Sequence, residues 1–135
     1  MKKNDNKTIV KKLWELMNEL KFEELKELLA ENFTATWPQS NETFNRNGYI
    51  EANRNYPGTH KIEVLNLYQE QNRWNGKDSV LSEISIISKT PEGKDYSLFG
   101  LSIFELEGDK ITSAREYWAP TYAAPDWRKQ WAIES

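Results

Sequence analysis

Four long segments with a repeat of two, His60–Trp74, Ser79–Thr90, Asp95–Glu107 and Lys110–Trp118, follow one another with only tight-turn sequences between them. Asn75-Gly76, Pro91-Glu92-Gly93 and Glu107-Gly108-Asp109 supply the residues that two- to five-residue hairpin loops require. Connections this short leave no room for a crossover, so each strand runs antiparallel to the one before it. Much of the chain is thereby committed to a meander, and the remainder has to cover one of its faces.

That remainder is largely helical. From Thr8, the residues Ile9, Val10, Leu13, Leu16, Met17 and Leu20 form one apolar stripe, with Lys11, Lys12, Glu15 and Glu19 opposite. Asp5 or Asn6 is placed to cap this helix, and residues 1–7 are expected to fray. A second helix is predicted over Phe22–Ala30, with Phe22, Leu25, Leu28 and Leu29 inward and the run Glu23, Glu24, Lys26, Glu27 as its solvated face. Phe33–Trp37 reads as a short strand closed by Pro38, and Gln39–Phe44 as polar loop. Gly48–Asn55 is a short third helix capped by Asn45 or Asn47, and Tyr56-Pro-Gly-Thr59 is a turn. The segment Ala119–Ser135 carries Trp127 and Trp131, too aromatic for a disordered tail, and is expected to pack on the domain or on a second subunit. The prediction is one α+β domain over residues 1–135, three N-terminal helices on an antiparallel sheet.

Composition excludes several chemistries. The 135 residues contain no cysteine and one histidine, His60, which removes thiolate zinc sites, cysteine nucleophiles and two-histidine centres. No metal or other cofactor is expected. A net charge of -3 gives no basic footprint for nucleic acid. Mean hydropathy is -0.83, with no apolar run near a membrane span. The charged start Met1–Lys7 has no apolar stretch behind it, so a cytoplasmic location is expected. Aromatic residues are 13% of the chain, including six tryptophans, so many must be buried or line something.

Turn positions allow the strands to be aligned. A Gly108-Asp109 turn sets Ile103 opposite Ala114, Leu101 opposite Glu116 and Phe99 opposite Trp118. A turn centred on Glu92-Gly93 sets Ile86 opposite Phe99 and Ile84 opposite Leu101. On this alignment Ser82, Ile84, Ile86, Phe99, Leu101, Ile103, Ala114, Glu116 and Trp118 share the inner face, and Ser102 and Arg115 point outward. The outer face is also substantially apolar, as a sheet-to-sheet dimer contact requires.

Ala30-Glu-Asn-Phe-Thr34 leading into Trp37-Pro38, Gly108-Asp-Lys-Ile111 running into Arg115-Glu-Tyr-Trp118, and Ala124-Pro-Asp-Trp-Arg128 with Trp131, in this element order, resemble the nuclear transport factor 2-like superfamily, and within it the SnoaL-like, polyketide cyclase-like branch. The resemblance covers residues 8 to 118. It implies a cone-shaped fold, with three helices and a strongly bent sheet around a pocket, and dimerisation through the outer sheet face. The superfamily supports many functions, so the fold alone selects none. The steroid isomerase pattern of a helix-1 tyrosine and two aspartates falls on Leu13, Trp37 and Leu101, all apolar. The dehydratase pattern needs more than one histidine, and the epoxide hydrolase pattern needs two aspartates about an inward arginine.

Glu116 is the candidate general acid or base, since a carboxylate desolvated among apolar neighbours has its pKa raised towards neutrality. A structural acid paired with a cation or a tyrosine is the alternative. Candidate ligand contacts are Leu13, Met17, Trp37, Tyr49, Tyr56, Phe99, Leu101 and Trp118, with core packing the competing role for each. His60 opens a strand and reads as an exposed or capping histidine. Three functions follow: a binder of a small, flat, largely apolar or aromatic molecule, a cofactor-independent cyclase or isomerase using Glu116, and a protein-association module whose cavity is merely core.

Overall fold

A computed structural model describes residues 5–133. Helix α1 spans Asn6–Asn18, and Asp5 caps it by accepting from the Lys7 amide. Of the terminus expected to fray, residues 1–4 lie outside the described residues, whereas Asn6 and Lys7 form the first turn of α1. The apolar stripe Ile9, Val10, Leu13, Leu16 and Met17 is buried as the periodicity requires, and Trp14 joins it.

The segment predicted as a second helix is a 3-10 turn over Phe22–Glu27; Leu29 and Ala30 already belong to strand β1, Leu29–Trp37. Leu29 is still buried, but from a strand edge beside Ile111. The expected polar loop contains a short strand, β2, Glu42–Asn45, which pairs antiparallel with β1. Helix α2 spans Arg46–Arg54, and the Asn45 side chain caps it by accepting from the Gly48 amide at 2.7 Å.

The meander forms as predicted: β3 is Thr59–Gln71, β4 Asp78–Lys89, β5 Asp95–Glu107 and β6 Lys110–Pro120. The six strands form one sheet in the order β2-β1-β6-β5-β4-β3, with β1 parallel to β6. After β6 the chain makes a 3-10 turn over Asp126–Trp131, in which Trp127 and Trp131 are exposed; residues 134–135 of the tail lie outside the described residues. Among the described residues no helix is long and apolar enough to cross a membrane.

The alignment of β5 needs correction. The β4–β5 loop has five residues, Thr90–Lys94, so Lys89 pairs with Asp95 and every β5 partner moves by one. A bulge between the Glu105–Ser113 and Leu106–Ile111 pairs then takes up one residue of β6, Thr112. The two slips cancel between β4 and β6, whose inward residues are those predicted, but they turn β5 over. Gly100, Ser102 and Phe104 face the helices, and Phe99, Leu101 and Ile103 face away at 49%, 39% and 37% exposure.

Candidate functional site

The inner face of the sheet is best followed in rows of cross-strand partners, from the core outward. Next to the core row Val80, Phe104 and Ala114 lie Ser82, Ser102 and Glu116. Ile84, Gly100 and Trp118 come next, then Ile62, Ile86, Leu98 and Pro120, and finally His60, Ser88 and Tyr96 at the open end. The last two rows and Trp118 border a cavity of about 660 Å³, closed on its other sides by Met17 and Trp14 of α1 and by Trp37 of β1. The Trp37 and Trp118 rings meet edge to face at 6.2 Å. Leu20, at the mouth, is 74% exposed and holds a left-handed backbone conformation (φ 60°), unusual for a leucine.

Trp118 has room to lie along the sheet only because residue 100 is glycine. A Cβ at Gly100 would stand 2.5 Å from Trp118 Cζ3 and 3.1 Å from Ile84 Cγ1. Gly100→Ala is therefore expected to push the indole into the cavity. Stability should fall by about 1–3 kcal/mol, the usual cost of overpacking, with a changed near-ultraviolet circular dichroism signal from Trp118.

Glu116 lies one row behind this wall. It is completely buried and does not border the cavity. Its Oε1 accepts from Trp37 Nε1 at 3.1 Å and its Oε2 accepts from Ser102 Oγ at 2.6 Å. The hydroxyl of Tyr49, also completely buried, faces the same carboxylate without a hydrogen bond of normal geometry. Burial raises the Glu116 pKa above its ordinary value, and the contacts with Ser102, Trp37 and Tyr49 oppose that rise only in part. Burial, followed by the Glu116 charge, holds the Tyr49 phenol well above its usual range. The groups around Glu116 thus come from three separate elements: Trp37 from β1, Tyr49 from α2 and Ser102 from β5.

The predicted ligand contacts divide. Met17, Trp37, Tyr56 and Trp118 border the cavity. Leu13 and Tyr49 are wholly buried in the core and do not reach it. Phe99 and Leu101 are on the opposite face, because the five-residue loop turns β5 over. For the same reason the partner of Glu116 is Ser102 rather than Leu101, and Ser102 points inward rather than outward. Arg115 faces outward, as predicted.

Sequence reasoning missed the pair His60 and Ser88 at the cavity's open end. Their contact depends on the β3–β4 register, which a bulge between Val64 and Asn66 hides from turn counting. The one available signal was the inward alternation Ser82, Ile84, Ile86, Ser88 on β4, which places a hydroxyl at the end of the apolar row.

Solved structures share this fold. A provisionally assigned ketosteroid isomerase from Kribbella flavida has a TM-score of 0.78 at 21% identity, covering 98% of this chain and 91% of that one. An NTF-2 like protein of unknown function from Burkholderia xenovorans gives 0.73 at 19% identity over 96% and 94% of the two chains. A provisionally assigned SnoaL-like polyketide cyclase from a Jannaschia species gives 0.71 at 15% identity over 86% of each. The fold is thus α+β and nuclear transport factor 2-like, with helices on a six-stranded sheet. No protein-family profile matches the sequence, and no curated protein matches it.

Proposed function

We propose that this chain is a cytoplasmic, single-domain protein that binds a small, flat, largely apolar or aromatic molecule in a cone closed by the helices over a bent sheet. The observation that carries this reading is the cavity of about 660 Å³ walled by Trp37 and Trp118, a size and character suited to small ligands. A row of aliphatic side chains, Ile62, Ile86 and Leu98, offers a flat surface for the ligand to lie on. A second copy of the chain is proposed to cover the outer sheet face, where Ile87, Phe99, Leu101, Ile103 and Tyr117 are exposed together. The exposed Trp127 and Trp131 of the tail would complete their packing in that dimer.

The second reading is a cofactor-independent cyclase or isomerase with Glu116 as general acid or base, favoured by the raised pKa of that buried carboxylate. It also has company in the fold, since an epoxide hydrolase/cyclase-like enzyme of polyether pyran-ring formation gives a TM-score of 0.69 at 22% identity. This reading requires Trp37 to swing aside, because its indole stands between the cavity and the carboxylate.

Native mass spectrometry of the protein purified from its own cytosol tests the first reading. A dimer carrying a small bound mass is expected, with affinity weakened about tenfold or more by Trp37→Ala. A clean dimer that gains no mass on exposure to aromatic metabolites would overturn it and leave the outer face as the working surface. Glu116→Gln then separates binder from enzyme: an enzyme loses turnover while retaining much of its ligand affinity.

A further inference from the structure

One end of the cavity is a row of polar side chains on the sheet, apart from the polar residues that α1, α2 and the β1–β2 turn bring to its rim. His60, Ser88 and Tyr96 are cross-strand partners and all border the cavity. The Tyr56 ring packs edge to face on His60 at 5.1 Å. Ser88 is almost completely buried. His60 Nδ1 lies 2.7 Å from Ser88 Oγ, and His60 Nε2 lies 3.0 Å from the Pro57 carbonyl oxygen.

These contacts determine where the hydrogens are. A carbonyl oxygen can only accept, so Nε2 carries a hydrogen and donates it to Pro57. In the neutral ring Nδ1 then holds a lone pair, and the Ser88 hydroxyl donates to it. Ser88 has no second hydrogen to offer. A group approaching Ser88 Oγ from the cavity must itself be a donor. The arrangement has a nucleophile-like oxygen, a base, and a third group orienting that base, all in the wall of a pocket.

We propose that this row receives an acidic hydroxyl of an aromatic ligand, a phenol or an enol, and that Ser88 relays its proton to His60. The ligand O–H bond breaks and its electron pair stays on the ligand oxygen. Ser88 Oγ takes that proton while its own passes to His60 Nδ1, forming an N–H bond. The ligand becomes a phenolate or enolate, His60 becomes an imidazolium, and nothing is oxidised or reduced. Both imidazolium N–H groups keep acceptors, Ser88 Oγ and the Pro57 carbonyl. Tyr56 and Tyr96, bordering the same end, are the phenols available to the new oxyanion. Other charged groups about the pair are Lys61, Lys89 and Asp95, which share a shallow depression with it at the same end of β3, β4 and β5, Lys89 and Asp95 pairing at 3.3 Å, and Glu42 and Arg54, which line the cavity, Arg54 being paired with Glu23 and Glu51. An aromatic ligand lying on Ile86 and Leu98 would bring a ring hydroxyl to Ser88, one row further along.

The inference rests on the reading of the cavity as an aromatic-ligand site, and one probe separates the two. 4-Nitrophenol reports its own ionisation by visible absorption, and 4-nitroanisole has the same ring without the acidic hydrogen. The wild-type protein is titrated with each at a pH where free nitrophenol is mostly neutral, with heat of binding and tryptophan quenching followed together. The expected result is about tenfold tighter binding of the phenol, with the bound probe absorbing as phenolate. Ser88→Ala and His60→Gln should abolish the phenolate band while nitroanisole binding persists. Equal binding of both probes, or a phenol bound with a neutral spectrum, overturns the relay and leaves the cavity reading intact. Failure of both probes to bind overturns the two together. The comparison of probes on the wild-type protein decides even if a variant does not fold.

Discussion

Glu116→Ala is expected to destabilise the fold by about 3 kcal/mol, whereas Glu116→Gln costs about 1 kcal/mol or less. The alanine removes the acceptor for Trp37 Nε1 and Ser102 Oγ and leaves a void beside the Tyr49 hydroxyl, all in the interior. Each buried donor left without a partner costs about 1–3 kcal/mol, partly recovered where water enters. Glutamine keeps the shape. Its carbonyl accepts from Trp37, and its amide can donate to Ser102 once that hydroxyl rotates. Urea unfolding of the three proteins measures both differences, and an alanine variant as stable as the glutamine variant would show that the carboxylate organises nothing.

The same pair of proteins carries a pH signature. The folded-state pKa of Glu116 is raised above the ordinary value of 4.5, chiefly by burial. Below 4.5 the carboxyl is protonated in both states and contributes no slope. Above it the unfolded chain loses the proton while the folded protein retains it. Unfolding then becomes progressively easier as pH rises, until the folded-state value is passed and the difference levels off. Wild-type stability relative to Glu116→Gln should therefore decline through that window. Glu19 and Glu23, which are exposed and whose pKa values are lowered by Lys21 and Arg54 respectively, act in the opposite sense but cancel in the comparison. A flat difference would mean that Glu116 ionises as easily in the fold as out of it.

The meander, both α-helices and the inward direction of Glu116 were legible because each rests on a local cause. Hydrophobic period sets α1, a side-chain cap starts α2, and turn residues separate the strands. What was not legible depends on single residues absorbed out of register. The five-residue loop Thr90–Lys94 and the bulge at Thr112 each shift the ladder by one, and a shift of one exchanges the faces of a strand. That is why Phe99 and Leu101 read as pocket residues and Ser102 as surface. The Phe22–Ala30 segment misled for a different reason. Its apolar spacing suits either a helix or a turn followed by a strand, and pairing of Leu29 with Ile111 selects the strand. The Glu116 cluster draws on residues 79 to 14 positions away, at Trp37 and Ser102, and the His60–Ser88 contact spans 28; no local pattern encodes such partners.

Gly58→Ala is expected to be the most damaging small substitution in the cavity wall, lowering stability by about 3 kcal/mol. Gly58 holds φ +88°, which costs an alanine about 1–2 kcal/mol. A Cβ there would also stand 2.1 Å from the Lys89 carbonyl oxygen and 3.1 Å from its carbonyl carbon. The obstacle is the backbone of the end pair of β3 and β4, Thr59 with Lys89, so no side chain can rotate out of the way. Relief requires the Tyr56–Thr59 turn to lift from β4, and that turn carries the Pro57 carbonyl that orients His60. Loss of stability and loss of the nitrophenolate signal should therefore occur together in Gly58→Ala. In Gly100→Ala the strain falls on Trp118, two rows from Ser88, so the phenolate signal should outlast the change in tryptophan environment. If Gly58→Ala folds with wild-type stability, the turn is free to move. His60 would then be held by Ser88 alone, and the hydrogen assignment on which the relay depends would lose its anchor.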